Sequence, residues 1–226
     1  MPLSSLCRKT VAVFRHFLWP AACPRCGALG VLICDPCLDT LAERRFPRCA
    51  QCGGGYPCPR HATHPLWGPV PYEALPRDLV HRLKYRGERA LGPLMGASLG
   101  RCVALPAGAS VLVPVPLHLG SARGYNQARE IARGLGAVWH LPVVDALQWT
   151  CAWNFQSRRS APSRREMPPG ALRWRGTPRE GVVLVDDVCT TGTTLARCAA
   201  AARQGGSDVV ACVVWSVAEG GTSHVA

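Results

Sequence analysis

The sequence predicts an α/β fold, a parallel sheet flanked by helices, with a small cysteine-rich module ahead of it. Three observations lead there. "VVLV" at 182–185 and "VLV" at 111–113 are short continuous apolar runs, the pattern of strands buried on both faces. Each run leads through a turn into a helix-forming stretch, the order of a parallel sheet. Four Cys-x-x-Cys or Cys-x-x-His pairs crowd between residues 23 and 61. At 226 residues the chain has room for one α/β domain and one small appendage. The expected boundaries are an N-terminal segment 1–22, a metal module 23–66 and an α/β domain 67–226.

The N-terminal segment carries Arg8 and Lys9 before an apolar stretch that Arg15 and His16 interrupt. That pattern suits a short amphipathic helix better than an export signal. No apolar run is long enough to span a membrane. The expected location is therefore the cytoplasm, where thirteen cysteines point to metal rather than disulfides.

The metal module follows. Cys23 with Cys26, Cys34 with Cys37, Cys49 with Cys52, and Cys58 with His61 all share one spacing. These eight residues are enough for two tetrahedral zinc ions. A redox Cys-x-x-Cys motif needs one pair beside a βαβ unit, not four pairs in succession. A segment so poor in large apolar residues gains folding energy from the metal. Sequential pairing puts the first four cysteines on one ion and Cys49, Cys52, Cys58 and His61 on the other. Interleaved pairing, or His64 in place of His61, stays open. Cys7, Cys102, Cys151, Cys189, Cys198 and Cys212 read as scattered structural thiols.

Pro65 to Pro71 reads as a linker or a first strand. Leu79, Val80 and Leu83 then mark the apolar stripe of a helix that also carries Arg82, Lys84 and Arg86. Lys84 either reaches a ligand or belongs to a solvated basic face. After the 111–113 strand, Pro114 and Pro116 stiffen a loop able to present N–H groups to an anion. "RGYNQ" at 123–127 opens the next helix, expected to end near Gly134.

The stretch 147–176 holds six arginines against one acid, Glu166, interleaved with Trp149, Trp153, Phe155 and Trp174. It could close over a ligand, stack single-stranded nucleic acid, or pack as a hairpin on the sheet. Arg158, Arg159, Arg164, Arg165 and Trp153 are the nucleic-acid candidates. The chain's formal net charge is +12, and only two of its 26 basic residues are lysines. An arginine-rich excess of this size suits a polyanionic partner.

The last strand carries Asp186 and Asp187 at its carboxyl end, followed by the turn Thr190, Thr191, Gly192, Thr193, Thr194 and an alanine-rich helix stopped by Gly205-Gly206. Open α/β sheets bind ligands at this place. The threonine turn at a helix N-terminus suits a phosphate. The two carboxylates suit sugar hydroxyls or Mg²⁺. The implied ligand is a ribose 5-phosphate. An ATPase reading needs a G-x-x-x-x-G-K-[ST] loop, and neither Lys9 nor Lys84 follows a glycine.

"VVLVDDVCTTGTT" resembles the phosphoribosyl pyrophosphate (PRPP) loop of type I phosphoribosyltransferases. Together with "HRLKYRG", "RGYNQA" and the cysteine pairs, the chain resembles the ComF family of bacterial competence from about Cys23 to about Val217. The resemblance implies a type I phosphoribosyltransferase-like domain behind a double zinc ribbon. It implies PRPP held with Mg²⁺ by Asp186 and Asp187 as the catalytic-type pair, the 5-phosphate in the 190–194 turn, and pyrophosphate near Arg123, with Lys84 in the family's lysine position. It further implies a role in DNA uptake and natural transformation, with single-stranded DNA, a competence helicase and recombination proteins as partners. The sequence departs from the family at His61, where cysteine is common, and near Pro168-Pro169, where an asparagine is usual. Thr190 stands where 6-oxopurine enzymes carry an aspartate, which excludes that acid/base step. Two classes of function follow: a PRPP-binding accessory factor for DNA uptake, or an active phosphoribosyltransferase with an unidentified acceptor.

Overall fold

The computed structural model describes residues 21–42, 46–61, 63–150 and 170–218. Its elements run α1 (Asp35–Asp39), β1 (Arg48–Cys49), β2 (Pro65–Trp67), β3 (Val70–Pro71), α2 (Ala74–Tyr85), α3 (Leu91–Cys102), β4 (Val111–Pro114), α4 (Gln127–Trp139), β5 (Leu147–Trp149), β6 (Leu172–Trp174), β7 (Val182–Cys189), α5 (Thr193–Gln204) and β8 (Val209–Val217). The expected α/β class is what the chain adopts.

The main sheet runs β1-β2-β8-β7-β4, and β3 also joins β8. β2, β3 and β7 lie parallel to β8, and β4 lies parallel to β7. Only β1, at the edge, is antiparallel, so the sheet is mixed but largely parallel. β7 is central and buried on both faces, which explains its unbroken valine-leucine run. It continues beyond the apolar run: Val188 and Cys189 still pair with Ser216 and Val217. The two aspartates therefore sit within the last half of the strand rather than at its end.

Alternation along the strands sorts two cores. Val111, Val113, Val182 and Leu184 face α5 and the β5–β6 hairpin. Leu112, Val183, Val185, Val213 and Trp215 face α2, α3 and α4. The result is a three-layer arrangement with the sheet in the middle.

Helix α4 ends at Trp139, a turn and more beyond the expected stop near Gly134. Gly134 serves packing instead: a Cβ there would meet Pro93 O at 2.0 Å, and one on Gly96 would meet Ile131 O at 1.9 Å. Backbone contact between α3 and α4 is possible only without side chains at these points.

Residues 65–71 form strands rather than a linker. β2 pairs with β1 of the cysteine module on one side and with β8 on the other. The module is thus continuous with the sheet. The ends of the 147–176 stretch form the β5–β6 hairpin, with Trp149 buried and Trp174 packed against the α5-side core. Its centre lies outside the described residues, with the nucleic-acid candidates Arg158, Arg159, Arg164, Arg165 and Trp153.

Candidate functional site

Three parts of the chain meet at the top of β7. Asp187 is buried, and its Oδ1 lies 2.6 Å from Lys84 Nζ in the last turn of α2. Its other oxygen, Oδ2, has no hydrogen-bond partner. Asp186 accepts the Asp187 backbone N–H at 2.8 Å through Oδ1. Burial, and then the Asp187 carboxylate beside it, push the Asp186 carboxyl up to about 7, against the pull of that N–H and of Lys84.

The threonine turn adjoins this pair. Thr190 to Leu195 wrap a small depression that reaches Asp186. Thr191 Oγ1 and Thr193 Oγ1 are 2.9 Å apart, and the Thr193 N–H donates to Thr191 Oγ1 at 3.4 Å. Gly192, at φ 73°, is the N-cap of α5 and has no side chain of its own to cap the helix. Unclaimed N–H groups at such a terminus, with the dipole behind them, attract an anion.

Arg123 is placed by the start of α4. Asn126 caps that helix by accepting the Ala128 and Arg129 N–H groups, at 3.0 and 3.4 Å, and donates to Val115 O at 2.9 Å. The Tyr125 hydroxyl donates to Leu83 O, tying the loop to α2. The Arg123 guanidinium lies over the Tyr85 ring, 5.1 Å from its centroid. Both basic groups are thus set at the C-terminal end of α2, Arg123 over the exposed Tyr85 ring and Lys84 turned inward toward Asp187.

The cysteine module forms two compact donor sets in sequential pairing. The thiols of Cys23, Cys26, Cys34 and Cys37 lie within 4.8 Å of one another, as do the donors of Cys49, Cys52, Cys58 and His61. Tetrahedral zinc with Zn–S near 2.3 Å requires S···S edges of roughly 3.8 Å and S···N edges of roughly 3.5 Å. The observed values are 3.8 and 3.6 Å for Cys23···Cys34 and Cys26···Cys34, and 3.7 Å for Cys52···Cys58. Cys58 Sγ···His61 Nδ1 is 3.5 Å and Cys49 Sγ···His61 Nδ1 is 3.7 Å. Both sets fit a zinc ion.

The two sets lie against different parts of the domain. Arg101 of α3 bridges Asp35 and Asp39 of α1, at 3.0 and 2.8 Å, beside the first set. The second set reaches the threonine turn. Ala50, within the Cys49–Cys52 knuckle, presses its carbonyl against Gly192: a Cβ on Gly192 would lie 2.4 Å from Ala50 O. A cleft of about 320 Å³ opens there, with Gln51, His64, Thr191, Gly192 and Arg197 among its walls. His64 thus lines this cleft rather than the metal set. Burial, then Arg203, hold its imidazole below its usual range, against Asp208.

The remaining described thiols behave as structural groups. Burial pushes Cys189 up to about 11 and Cys212 to about 12.

Sequence reasoning did not find the Ala50–Gly192 contact or the role of Tyr85 as a seat for Arg123. An alanine in a knuckle and a tyrosine in a basic helix carry no signal until the chain is folded.

No helix among the described residues is long and apolar enough to cross a membrane. No protein-family model matches the chain. The chain is similar to a curated protein described as DNA utilization protein YhgH, from Salmonella typhi. The two are 29% identical over 207 residues, covering 79% of this chain and 87% of the relative.

Proposed function

We propose that this chain is a PRPP-binding, phosphoribosyltransferase-like protein of the ComF type that acts in DNA uptake and contacts single-stranded DNA. The observation that carries the reading is the convergence of Asp186, Asp187 and Lys84 beside the threonine turn. Asp186 and Asp187 would accept hydrogen bonds from the ribose hydroxyls, directly or through the Mg²⁺ that accompanies PRPP. The orphan Oδ2 of Asp187 suits that task, since a buried carboxylate oxygen without a partner is costly. Thr190 to Thr194 would hold the 5-phosphate, and Arg123 the pyrophosphate. Zinc would fix the 23–66 module against the 67–226 domain. The name of the Salmonella typhi relative supports the DNA role, and the net charge of +12 agrees with it.

Calorimetric titrations with PRPP-Mg²⁺, ribose 5-phosphate and pyrophosphate-Mg²⁺ test this reading. PRPP should bind tightest, because it alone engages every part of the site. Equal or stronger binding of pyrophosphate alone would contradict it.

Active phosphoribosyl transfer is the second reading. The observation favouring it is Asp186, a carboxyl held near pH 7 and so able to exchange a proton under working conditions. Pyrophosphate release that requires an added base would establish it.

A further inference from the structure

Helix α2 buries Pro76, Leu79, Val80 and Leu83 and turns another face outward. On that face stand Arg77, His81 and Tyr85, spaced four apart and all exposed, with Arg86 next in line. Tyr85 is 66% exposed, unusual for so large a ring set in a helix. The His81 ring meets it edge-on at 5.5 Å, and Arg123 lies over it at 5.1 Å. An open groove of about 360 Å³ follows the face, lined by Arg77, Asp78, His81, Tyr85 and Arg86.

Arg77 and Arg86 stand apart from the ion pairs of this helix. The neighbouring acids are drawn to Arg82: Glu88 at 2.7 Å and Asp78 at 4.0 Å. Arg77 and Arg86 form no ion pair among the described residues. An exposed ring flanked by unneutralised guanidinium groups is a stacking platform with phosphate contacts on either side.

We propose that this face of α2 binds single-stranded DNA, one base stacking on the open face of Tyr85 while Arg77 and Arg86 meet the backbone phosphates. The proposal rests on the DNA-contact reading above and gives it a location distinct from the 147–176 stretch. A single strand is required because only an unpaired base offers its face to Tyr85.

Fluorescence anisotropy with a labelled oligo-deoxythymidylate of about 20 nucleotides tests the assignment on the zinc-loaded full chain. Tyr85→Ala should weaken binding about tenfold, and Tyr85→Phe should restore it. The independent pair Arg77→Ala/Arg86→Ala should weaken binding and lower the salt slope by about 1.4. Melting curves confirm that each variant folds. Wild-type protein that binds no oligonucleotide at low salt overturns the proposal together with the DNA reading. Binding that every variant retains overturns the surface alone and leaves the DNA reading standing. Equal binding of duplex overturns the stacking assignment.

Discussion

Lys84 and Asp187 form the closest ion pair at the head of β7, 2.6 Å apart, with the lysine side chain 19% exposed and the aspartate 4%. The pair joins the last turn of α2 to the strand that carries the proposed ribose site. It also leaves Asp187 Oδ2 without a partner, so the site is charged and only partly compensated.

Removing the cation strands a buried carboxylate. Lys84→Met should cost about 3 kcal/mol of stability, measured by denaturant unfolding. Lys84 also holds the Asp186 carboxyl down, so the variant should require a higher pH to ionise Asp186. An unchanged pH midpoint for PRPP binding in Lys84→Met would contradict this coupling.

The raised carboxyl of Asp186 sets a pH window. Its folded pKa, about 7, lies above the ordinary value of 3.8, so the fold favours the protonated form. Stability from this group is full below pH 3.8 and declines as pH rises toward 7. Asp186→Asn should therefore raise the melting temperature at pH 8 and leave it nearly unchanged at pH 4. On the proposed reading PRPP meets the ionised form, so its binding should tighten as pH rises through 7. The opposite trend in either measurement contradicts the assignment.

The second metal set and the threonine turn touch through Ala50 and Gly192. Chelation should release two zinc ions per chain, counted by atomic absorption, and weaken phosphate binding. Cys52→Ala/Cys58→Ala should weaken it more than Cys26→Ala/Cys37→Ala, because only the second knuckle bears on the turn. Gly192→Ala should act in the same direction, since its φ of 73° and the Ala50 carbonyl both resist a side chain. Phosphate affinity that ignores both changes would show the contact to be incidental.

Asn126 holds the start of α4. Asn126→Ala should cost about 1 kcal/mol by loss of the cap. It also leaves Val115 O without its donor. Thermal melting reads the loss, and a melting temperature within error of wild type would argue against the capping role.

Much of this was legible before the fold. The 182–204 segment announced itself because an apolar run, a polar turn and an alanine-rich stretch each obey local rules. The cysteine sets were legible because ligand spacing is local too. What failed was long-range. The reading of β7 stopped at the charged pair, yet pairing with Ser216 and Val217 carries the strand through it. Gly134 looked like a helix stop and is a contact point for α3. The Lys84–Asp187 pair and the Ala50–Gly192 contact join residues far apart in the chain, and no period or spacing connects them.

Asp186 and Asp187, with the threonine turn, are the proposed PRPP site. Calorimetric titration of PRPP-Mg²⁺ into wild type and into Asp186→Ala/Asp187→Ala tests it most directly, with melting curves to confirm that both are folded. Wild type should bind saturably, and the double variant should not bind. No binding by folded, zinc-loaded wild type, or equal binding by both, would contradict it.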